Sequence, residues 1–479
     1  MENSGKKVVS GVIWRFFERF GSHAVGFLVT IVLARLLAPE AYGTVALVTA
    51  ITSLLQVFID SGFGNALIRK KDADDLDFSS VFYFNIVICV VLYILMFFGA
   101  PLIADYYEKP ELVALIRVIS LVLIISGLKN VQFAYVSRTM QFKKFFWSTL
   151  GSTVLSALVG IVMAYCKMGA WALAGQMLVS NGVSTLILWV TVKWRPKRMF
   201  SFARLKELIK YGWKILVSGF IVTLYNDLLS LVIGKKYTSA DLAYYDRGQK
   251  LPRMITDPIV TAVDSALLPA MADEQDNLES LKEMTRKSVK VCAYVMWPIM
   301  LGFAVCGESF VSLILSDKWL PCLPYLRLFC VYLAFYPIDT ANLNAIKALG
   351  RSDLYLILEI IKKVLGIGII FFSMSFGVFA MVIGMVASSM LGLIIDSFVA
   401  GKLLKFSPIK QLFDILPSAL LALVMAVVVY FISMILPSNH FIKLIIQVLT
   451  GAGVYVLGSH IFKPEAYTTL LKIFKSRKK

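Results

Sequence analysis

The sequence predicts an all-α polytopic membrane protein with about fourteen transmembrane helices. Of its 479 residues, 58% are hydrophobic and only 16% are charged, and the mean hydropathy is +0.77. Apolar runs of roughly 20 residues, the length that crosses the hydrocarbon core of a bilayer, recur along the whole chain with short breaks between them. These runs leave no stretch long enough for a soluble domain.

The predicted spans follow these apolar runs in order, and the eighth is the most polar of them. They lie near residues 11–37, 42–68, 79–104, 111–135, 147–166, 170–192, 211–234, 243–270, 290–315, 323–347, 353–376, 378–401, 413–436 and 442–462.

Lysine and arginine are concentrated in every second break between the spans. The break after the sixth span, for example, contains Lys193, Arg195, Lys197 and Arg198. Because cytoplasmic loops carry the excess of positive charge, this alternation predicts that both termini are cytoplasmic. The net charge of +18 is therefore an orientation signal, and no nucleic-acid partner is expected.

Two parts of the sequence resemble each other at a distance. "VFIDSGFGNAL" in the second span matches "TAVDSALLPAM" in the eighth, which aligns Asp60 with Asp264. We expect two six-helix lobes, residues 1–200 and 201–402, followed by two accessory helices and a basic cytoplasmic tail in residues 403–479. Repeats of this kind are common in transporters, whose substrate sites lie near the bilayer midplane. Chance similarity between apolar stretches is the alternative.

The first span carries charged residues within its apolar sequence. Arg15, Glu18 and Arg19 are three or four residues apart, so they share one face of a helix. Arg19 is about 16 Å from the start of this helix at 1.5 Å per residue, too deep to reach the interface easily. The stripe is therefore expected to face water or other polar groups.

The eighth span repeats this pattern. Two prolines, Pro252 and Pro258, are expected to break this helix next to a cavity. Its polar face consists of Asp246, Lys250, Arg253 and Asp257, and Arg247 lies beside this face.

Charges at this depth are costly when they face lipid, about 2.5–3.5 kcal/mol for each Arg or Lys. They must therefore face a hydrated cavity or one another. One hypothesis is a cationic cavity that binds an anion, to which Lys129 of the fourth span contributes. The alternative is internal ion pairing, Arg15 with Glu18 and Arg253 with Asp257.

The remaining candidates give weaker signals. His23 is a possible proton-coupling group, although a packing role is more common, and neither the histidines nor the cysteines have metal-ligand spacing. Asp72 and Asp74 have the spacing of a metal-bound sugar-nucleotide site, but a loop that ends in a helix cap explains them better. No catalytic residue, metal or cofactor is predicted.

Several segments together resemble the Wzx-type polysaccharide flippases, in particular the colanic-acid-exporter-like branch, of the MOP exporter superfamily. They are "LARLLAPEAYG", "DSGFGNALIRKKD", "SSVFYFN", "RTMQFKKF" and "GAWALAGQ". The resemblance is dense over residues 8 to about 200 and looser through residue 402.

The resemblance implies two six-helix lobes around a central cavity lined by basic residues. It implies that the protein moves an undecaprenyl-diphosphate-linked oligosaccharide, such as an O-antigen unit, across the bacterial inner membrane by alternating access. Polysaccharide polymerase and chain-length proteins are then expected partners besides the membrane lipids. Arg15, Arg19, Arg247, Lys250, Arg253 and Lys129 match the basic pattern of the family cavity.

Export of a diphosphate is favoured by a negative cytoplasm, by about 2.3 kcal/mol per charge per 100 mV, so the membrane potential is one possible driving force. The alternative is a coupling Na⁺ or H⁺ bound by acidic residues. The candidates for ion coupling or gating are Glu18, Asp60, Asp246, Asp257 and Asp264.

Three other functions remain open. A lipid II flippase differs from this prediction mainly in the headgroup of its substrate. A MATE-like drug or cation antiporter would need an acidic or apolar cavity. A membrane polysaccharide polymerase or transferase would need a large outer loop or paired catalytic residues, which this sequence lacks.

Overall fold

A computed structural model of the chain describes residues 24–60, 72–437 and 439–476, together with Trp14, Gly21, Ser22, Gly64, Leu67 and Lys70. Most of these residues are helical, and none of those described lies in a β-strand. The predicted all-α class is confirmed.

The described helices follow one another through short connections, and a 3₁₀ turn, Asp317–Cys322, precedes α11. Their bounds are α1 Ala24–Leu36, α2 Pro39–Asp60, α3 Asp75–Tyr107, α4 Leu112–Ile119, α5 Leu121–Arg138, α6 Lys143–Tyr165, α7 Ala170–Thr191, α8 Phe202–Lys236, α9 Ser239–Asp273, α10 Leu278–Ile314, α11 Leu323–Leu333, α12 Tyr336–Ala348, α13 Ser352–Ser373, α14 Val378–Leu403, α15 Pro408–Ile435, α16 His440–Phe462 and α17 Glu465–Ser476.

Within the described residues, twelve helical segments are long and apolar enough to cross a membrane. Helices α4 and α5 together form one such segment, and the 3₁₀ turn forms another with α11 and α12. Helix α13 occupies the predicted eleventh span but carries Glu359, Lys362 and Lys363. Ten residues in the first half of the first predicted span lie outside the described residues, so the number fourteen remains a prediction.

The prediction that prolines break the eighth span is wrong. Helix α9 runs without interruption from Ser239 to Asp273 and includes Pro252, Pro258 and Pro269. A proline removes one backbone hydrogen bond and bends the helix, but the turns on either side remain hydrogen-bonded. The helix is therefore continuous, and its polar face is a single surface.

The chain divides into two compact units, Met1–Ala243 and Tyr244–Lys479. In unit 1, α6 packs along α7, α3 and α7 pack on α5, and α2 packs on α8. Gly43 of α2 lies so close to the chain at Ser239 that a Cβ atom would stand 1.6 Å from the Ser239 carbonyl oxygen. Only glycine permits this approach.

One end of unit 1 is fixed by residues from the motifs "DSGFGNALIRKKD" and "RTMQFKKF". The Arg138 guanidinium donates hydrogen bonds to the carbonyl oxygens of Leu67 (3.1 Å) and Lys70 (2.8 Å). The Lys70 ammonium lies 2.9 Å from the buried Asp77 carboxylate, beside an aromatic cluster around Trp194. These motif residues therefore stabilise the fold of unit 1.

In unit 2, α10 is the central helix, and α11, α12, α15 and α16 pack against it. The predicted accessory helices are fixed to it by polar contacts. Tyr455 of α16 donates a hydrogen bond to the Tyr294 carbonyl (2.8 Å), and Lys290 of α10 lies 3.1 Å from Asp414 of α15. The predicted lobe boundaries at residues 200 and 402 come from the sequence repeat, whereas the two units are defined by compact packing. The lobe boundaries therefore remain predictions.

Candidate functional site

Four of the polar residues selected from the first span cannot be placed. Arg15, Glu18, Arg19 and His23 lie outside the described residues. The other candidates fall into two groups, one in a pocket of unit 1 and one along α9 of unit 2.

Unit 1 contains a pocket of about 590 Å³ among its membrane-spanning helices. Helices α2, α4, α5, α6 and α7 all contribute to its wall. The polar side chains of the wall are Thr49, Thr52, Ser53, Gln56, Asp60, Ser126, Lys129, Asn130, Ser148, Thr149, Asn181 and Ser184. The structure therefore brings two predicted residues, Lys129 and Asp60, into one pocket.

Lys129 is held on one side of this pocket by an amide. Its ammonium donates a hydrogen bond to Oδ1 of Asn181 (3.2 Å). The Asn181 amide nitrogen in turn donates to the Met177 carbonyl of the preceding turn (3.0 Å), which fixes the direction of its oxygen. Lys129 makes no ion pair with any residue that the structure describes, and an ammonium has three donors. Donors of Lys129 are therefore left for a ligand.

Asp60 is the acidic residue of the pocket. Its carboxylate accepts a hydrogen bond from Nε2 of Gln56, one turn earlier on α2 (3.0 Å). Asn130, next to Lys129 on α5, donates to the Ile59 carbonyl and ties the end of α2 to α5. The acid and the cation are thus held on neighbouring helices.

The rest of the wall combines hydroxyl groups and aromatic rings. The Ser148 hydroxyl lies 2.8 Å from the Ser184 hydroxyl, and the rings of Phe133 and Phe145 are stacked with centroids 4.4 Å apart. Hydroxyls and amides can bond to sugar hydroxyls, while aromatic rings offer an apolar face to the C–H side of a sugar ring. A wall of this kind therefore offers contacts to both the polar and the apolar sides of a sugar ring.

The N-terminal part of α9 is packed tightly in unit 2. Gly248 lies against α11, where a Cβ atom would meet Tyr325 at 2.5 Å. The Arg247 guanidinium is 5.7 Å from the centre of the buried Trp319 ring, within cation–π range. Lys250 pairs with Asp246 one turn earlier (2.8 Å). Two predicted cations of α9 therefore already contact protein groups.

Arg253, one turn after Lys250, is different. It is half-buried, and its Nε atom has no hydrogen-bond acceptor among the described residues. The ion pair with Asp257, the alternative to a free cation, is absent from the described contacts, and Asp257 is exposed. Arg253 is within electrostatic reach of Tyr332 and Tyr336. Arg253 therefore keeps donors for an anion.

The other sequence candidates have simple placements. Asp264 is half-exposed on α9 and makes no described hydrogen bond, so its role in ion coupling remains a prediction. Asp74 caps the N-terminus of α3, with its carboxylate accepting from the Asp77 backbone N–H (3.0 Å). The helix-cap interpretation of Asp74 is confirmed. The cysteines are free thiols, and all but Cys166 are buried.

Several residues of the pocket are not predicted from the sequence. Gln56 is recognisable in retrospect, because it precedes Asp60 by one turn. Asn181, Ser148 and Ser184 give no such signal, because hydroxyl and amide side chains are common inside membrane helices, where they bond to backbone carbonyls.

Comparison with known proteins gives this geometry a context. Residues 32–324, more than half of the chain, match the family described as polysaccharide biosynthesis protein. The chain belongs to this family. Its membership confirms the family resemblance that the sequence predicts.

Several relatives match over most of their length. The lipopolysaccharide biosynthesis protein WzxC of Escherichia coli (strain K12) is 25% identical over 417 residues, which cover 85% of this chain and 83% of WzxC. The teichuronic acid biosynthesis protein TuaB of Bacillus subtilis (strain 168) is 22% identical, covering 74% of each chain. The succinoglycan biosynthesis transport protein ExoT of Rhizobium meliloti (strain 1021) is 22% identical, covering 73% of this chain and 71% of ExoT.

Solved structures show the same fold. The lipid II flippase MurJ in an inward closed conformation superposes with a TM-score of 0.77 at 19% identity, covering 97% of this chain and all of MurJ. An inward-facing MATE transporter of the MOP superfamily gives a TM-score of 0.64 at 19% identity, over 80% of this chain and 94% of the transporter. This member of the polysaccharide biosynthesis family therefore has the fold of MurJ and of this MATE transporter.

Proposed function

We propose that this protein moves an undecaprenyl-diphosphate-linked oligosaccharide from the inner to the outer leaflet of a bacterial inner membrane. The transfer would occur by alternating access and would supply surface polysaccharide biosynthesis. Family membership and the similarity to WzxC, TuaB and ExoT support this proposal. The alternation of basic breaks supports cytoplasmic termini.

The observation that carries the proposal is the polar pocket of unit 1 among helices that are otherwise apolar. A sugar chain cannot enter hydrocarbon, because each unpaired polar group costs several kcal/mol there. The hydroxyl, amide and aromatic wall supplies partners for sugar, and Lys129 supplies a positive charge for phosphate. An apolar drug would leave the remaining donors of the Lys129 ammonium without a partner.

We assign the diphosphate contacts to the cations that keep free donors. Within unit 1 the candidate is Lys129. Unit 2, taken by itself, offers Arg253, and Arg247 and Lys250 are secondary because each already contacts a protein group. Arg15 and Arg19 remain candidates from the sequence. Polysaccharide polymerase and chain-length proteins are the proposed partners.

The energy source follows from the charge of the cargo. With a negative cytoplasm, two negative charges gain about 5 kcal/mol per 100 mV when they move outward. The membrane potential is thus sufficient in sign and size to favour export, and a coupling ion would add to it.

The proposal is tested by flipping in proteoliposomes. A fluorescent undecaprenyl-diphosphate disaccharide is incorporated, and its outer-leaflet fraction is read with a membrane-impermeant quencher. We expect flipping by the native chain and at least a tenfold lower rate for Lys129→Met, since a charged hydrogen bond contributes about 1.5–3 kcal/mol. Lys410→Met, at an exposed lysine at the start of α15, is the matched control.

Two outcomes would contradict the proposal. Equal rates for Lys129→Met and Lys410→Met would remove the pocket from the transport path. Flipping of lipid II but not of the diphosphate disaccharide would favour the lipid II flippase, the alternative that the likeness to MurJ raises.

A further inference from the structure

Unit 2 contains a second group of charged residues at membrane depth, and the proposed cargo contacts do not include it. The Lys362 ammonium of α13 lies 2.5 Å from the Asp396 carboxylate of α14 and 2.6 Å from Glu359. Lys363 lies 2.7 Å from the other oxygen of Glu359. Asp339 of α12 completes the group, and we call these five residues the acid cluster.

The acid cluster is built into the packing of the helices. Asp396 is completely buried. One turn before it, Gly392 leaves room for the Lys362 stem, since a Cβ atom there would stand 2.9 Å from Lys362 Cδ. The Lys362 side chain therefore packs against α14 at Gly392, and its ammonium reaches the Asp396 carboxylate. A long cationic side chain held this way is a fixed part of the site.

The charges of the acid cluster do not balance. Its three carboxylates face two ammonium groups, so the fully ionised cluster carries a net charge of −1. Helix α12 packs on α14, and the carboxyl groups of Asp339 and Asp396 interact with each other across this contact. The Oδ1 atoms of both are buried and accept no hydrogen bond from any described donor. Two neighbouring ionised carboxylates repel each other, whereas one proton shared between them makes a hydrogen bond.

We propose that Asp339 and Asp396 form a proton-binding site that takes up one H⁺ per chain. The proton comes from water and rests between the two carboxyl groups, which brings the acid cluster to zero net charge. A purely structural ion-pair network would be neutral without it. Sodium is disfavoured because the Lys362 ammonium already occupies the cation position at Asp396.

The site has a physical route to the cargo residues. Tyr332 and Tyr336 are within electrostatic reach of both Asp339 and Arg253, so protonation changes the field at that arginine. A role in coupling H⁺ entry to export rests on the proposed function, but proton binding does not. The charged and titratable groups around the pair are Tyr332, Tyr336, Tyr355, Glu359, Lys362 and Lys363, with Arg253 and Asp257 beyond the tyrosines.

The experiment is infrared difference spectroscopy of the full chain in lipid bilayers without cargo. Spectra are compared between mildly acidic and mildly alkaline buffers, in which a protonated carboxyl group gives its own carbonyl band. We expect the native chain to show such a band, and Asp339→Asn and Asp396→Asn each to lose it. In either variant the remaining charges balance, so no proton is required.

Asp60→Asn is the matched control, because it removes a membrane-depth acid from unit 1 and should keep the band. If Asp396→Asn fails to fold, Asp339→Asn decides, since Asp339 forms no described ion pair. A band that persists in Asp339→Asn, or that disappears in Asp60→Asn, would overturn the assignment. A band displaced when sodium replaces potassium would show a sodium site instead.

Because no cargo is present, this result is independent of the flippase assay. A native chain that lacks the band but flips the diphosphate disaccharide would refute the proton site alone. A native chain that shows the band but does not flip this cargo would refute the proposed function alone.

Discussion

The two units carry polar groups at membrane depth in opposite arrangements. In unit 1 they surround a pocket of about 590 Å³, and Lys129 bonds only to an amide among the described residues. In unit 2 the acid cluster is packed, with Lys362 in direct contact with two carboxylates. A hollow polar region leaves donors and acceptors for a large ligand. A packed one leaves room for little more than a proton.

The largest expected difference concerns the two lysines. Lys362→Met removes the cation from buried carboxylates, so we expect the free energy of unfolding to fall by about 3–5 kcal/mol. Lys129 forms no ion pair among the described residues, so Lys129→Met leaves no carboxylate without its partner. The expected change in the free energy of unfolding is less than about 1 kcal/mol. Thermal unfolding of both variants in the same detergent measures this.

The loss in Lys362→Met should also depend on pH. Protonation of the remaining carboxyl groups removes the uncompensated charge, so the variant should be least stable in alkaline buffer. Equal stability losses for the two lysines would mean that the pocket and the acid cluster do not differ in the way their contacts indicate.

Much of the fold follows from the sequence, but less of the two polar regions does. Apolar runs locate the described spans, because bilayer thickness fixes their length. Lys129 and Asp60 are recognisable singly, whereas their meeting in one pocket depends on how α2 packs against α5. Glu359, Lys362 and Lys363 of the acid cluster give a visible signal at helical spacing, whereas their meeting with Asp339 and Asp396 depends on how α12, α13 and α14 pack together.

The proline prediction and the alternative of an Arg253–Asp257 ion pair failed for a related reason. Pro252 does not end α9, because a proline removes a single backbone hydrogen bond and the turns around it keep theirs. The spacing of Arg253 and Asp257 permits an ion pair, yet side-chain direction in the packed unit decides whether it forms. Sequence spacing gives the face of a helix and not the contacts made there.

A second difference in stability is expected when a larger side chain is placed in the pocket and next to the acid cluster. Ser184 of α7 lines the pocket, and Ser397 of α14 accepts a hydrogen bond from Asn342 (3.0 Å). We expect Ser397→Leu to cost about 1–3 kcal/mol, because an added side chain in a packed interior forces its neighbours apart. Ser184→Leu should cost less than about 1 kcal/mol but slow flipping, because it fills the cargo space.

Both variants are measured by thermal unfolding and by the flipping rate per folded protein. The comparison fails if Ser184→Leu is the more destabilising of the two, or if it is stable and flips the cargo at the native rate. Either result would mean that the pocket is not a space that cargo occupies.

The smallest expected effect concerns charges outside the spans, and it sharpens the contrast with those at membrane depth. The hydrogen bond from the Asp77 backbone N–H, helped by nearby Arg204, lowers the pKa of the Asp74 carboxyl below its usual value. Asp74→Ala should cost about 1 kcal/mol, the usual effect of losing a helix cap, without changing flipping per folded protein.

The acid dependence of this effect has a definite sign. Because the folded pKa of Asp74 is lowered, its contribution is present above the unfolded pKa of about 3.9 and is lost as the pH falls through the folded pKa. The difference in unfolding free energy between the native chain and Asp74→Ala should therefore shrink in acid. Asp72→Asn, a neighbouring exposed acid, is the control and should change stability by less than about 0.5 kcal/mol. A loss of flipping in Asp74→Ala at native stability would instead revive a direct role of this loop in handling the sugar.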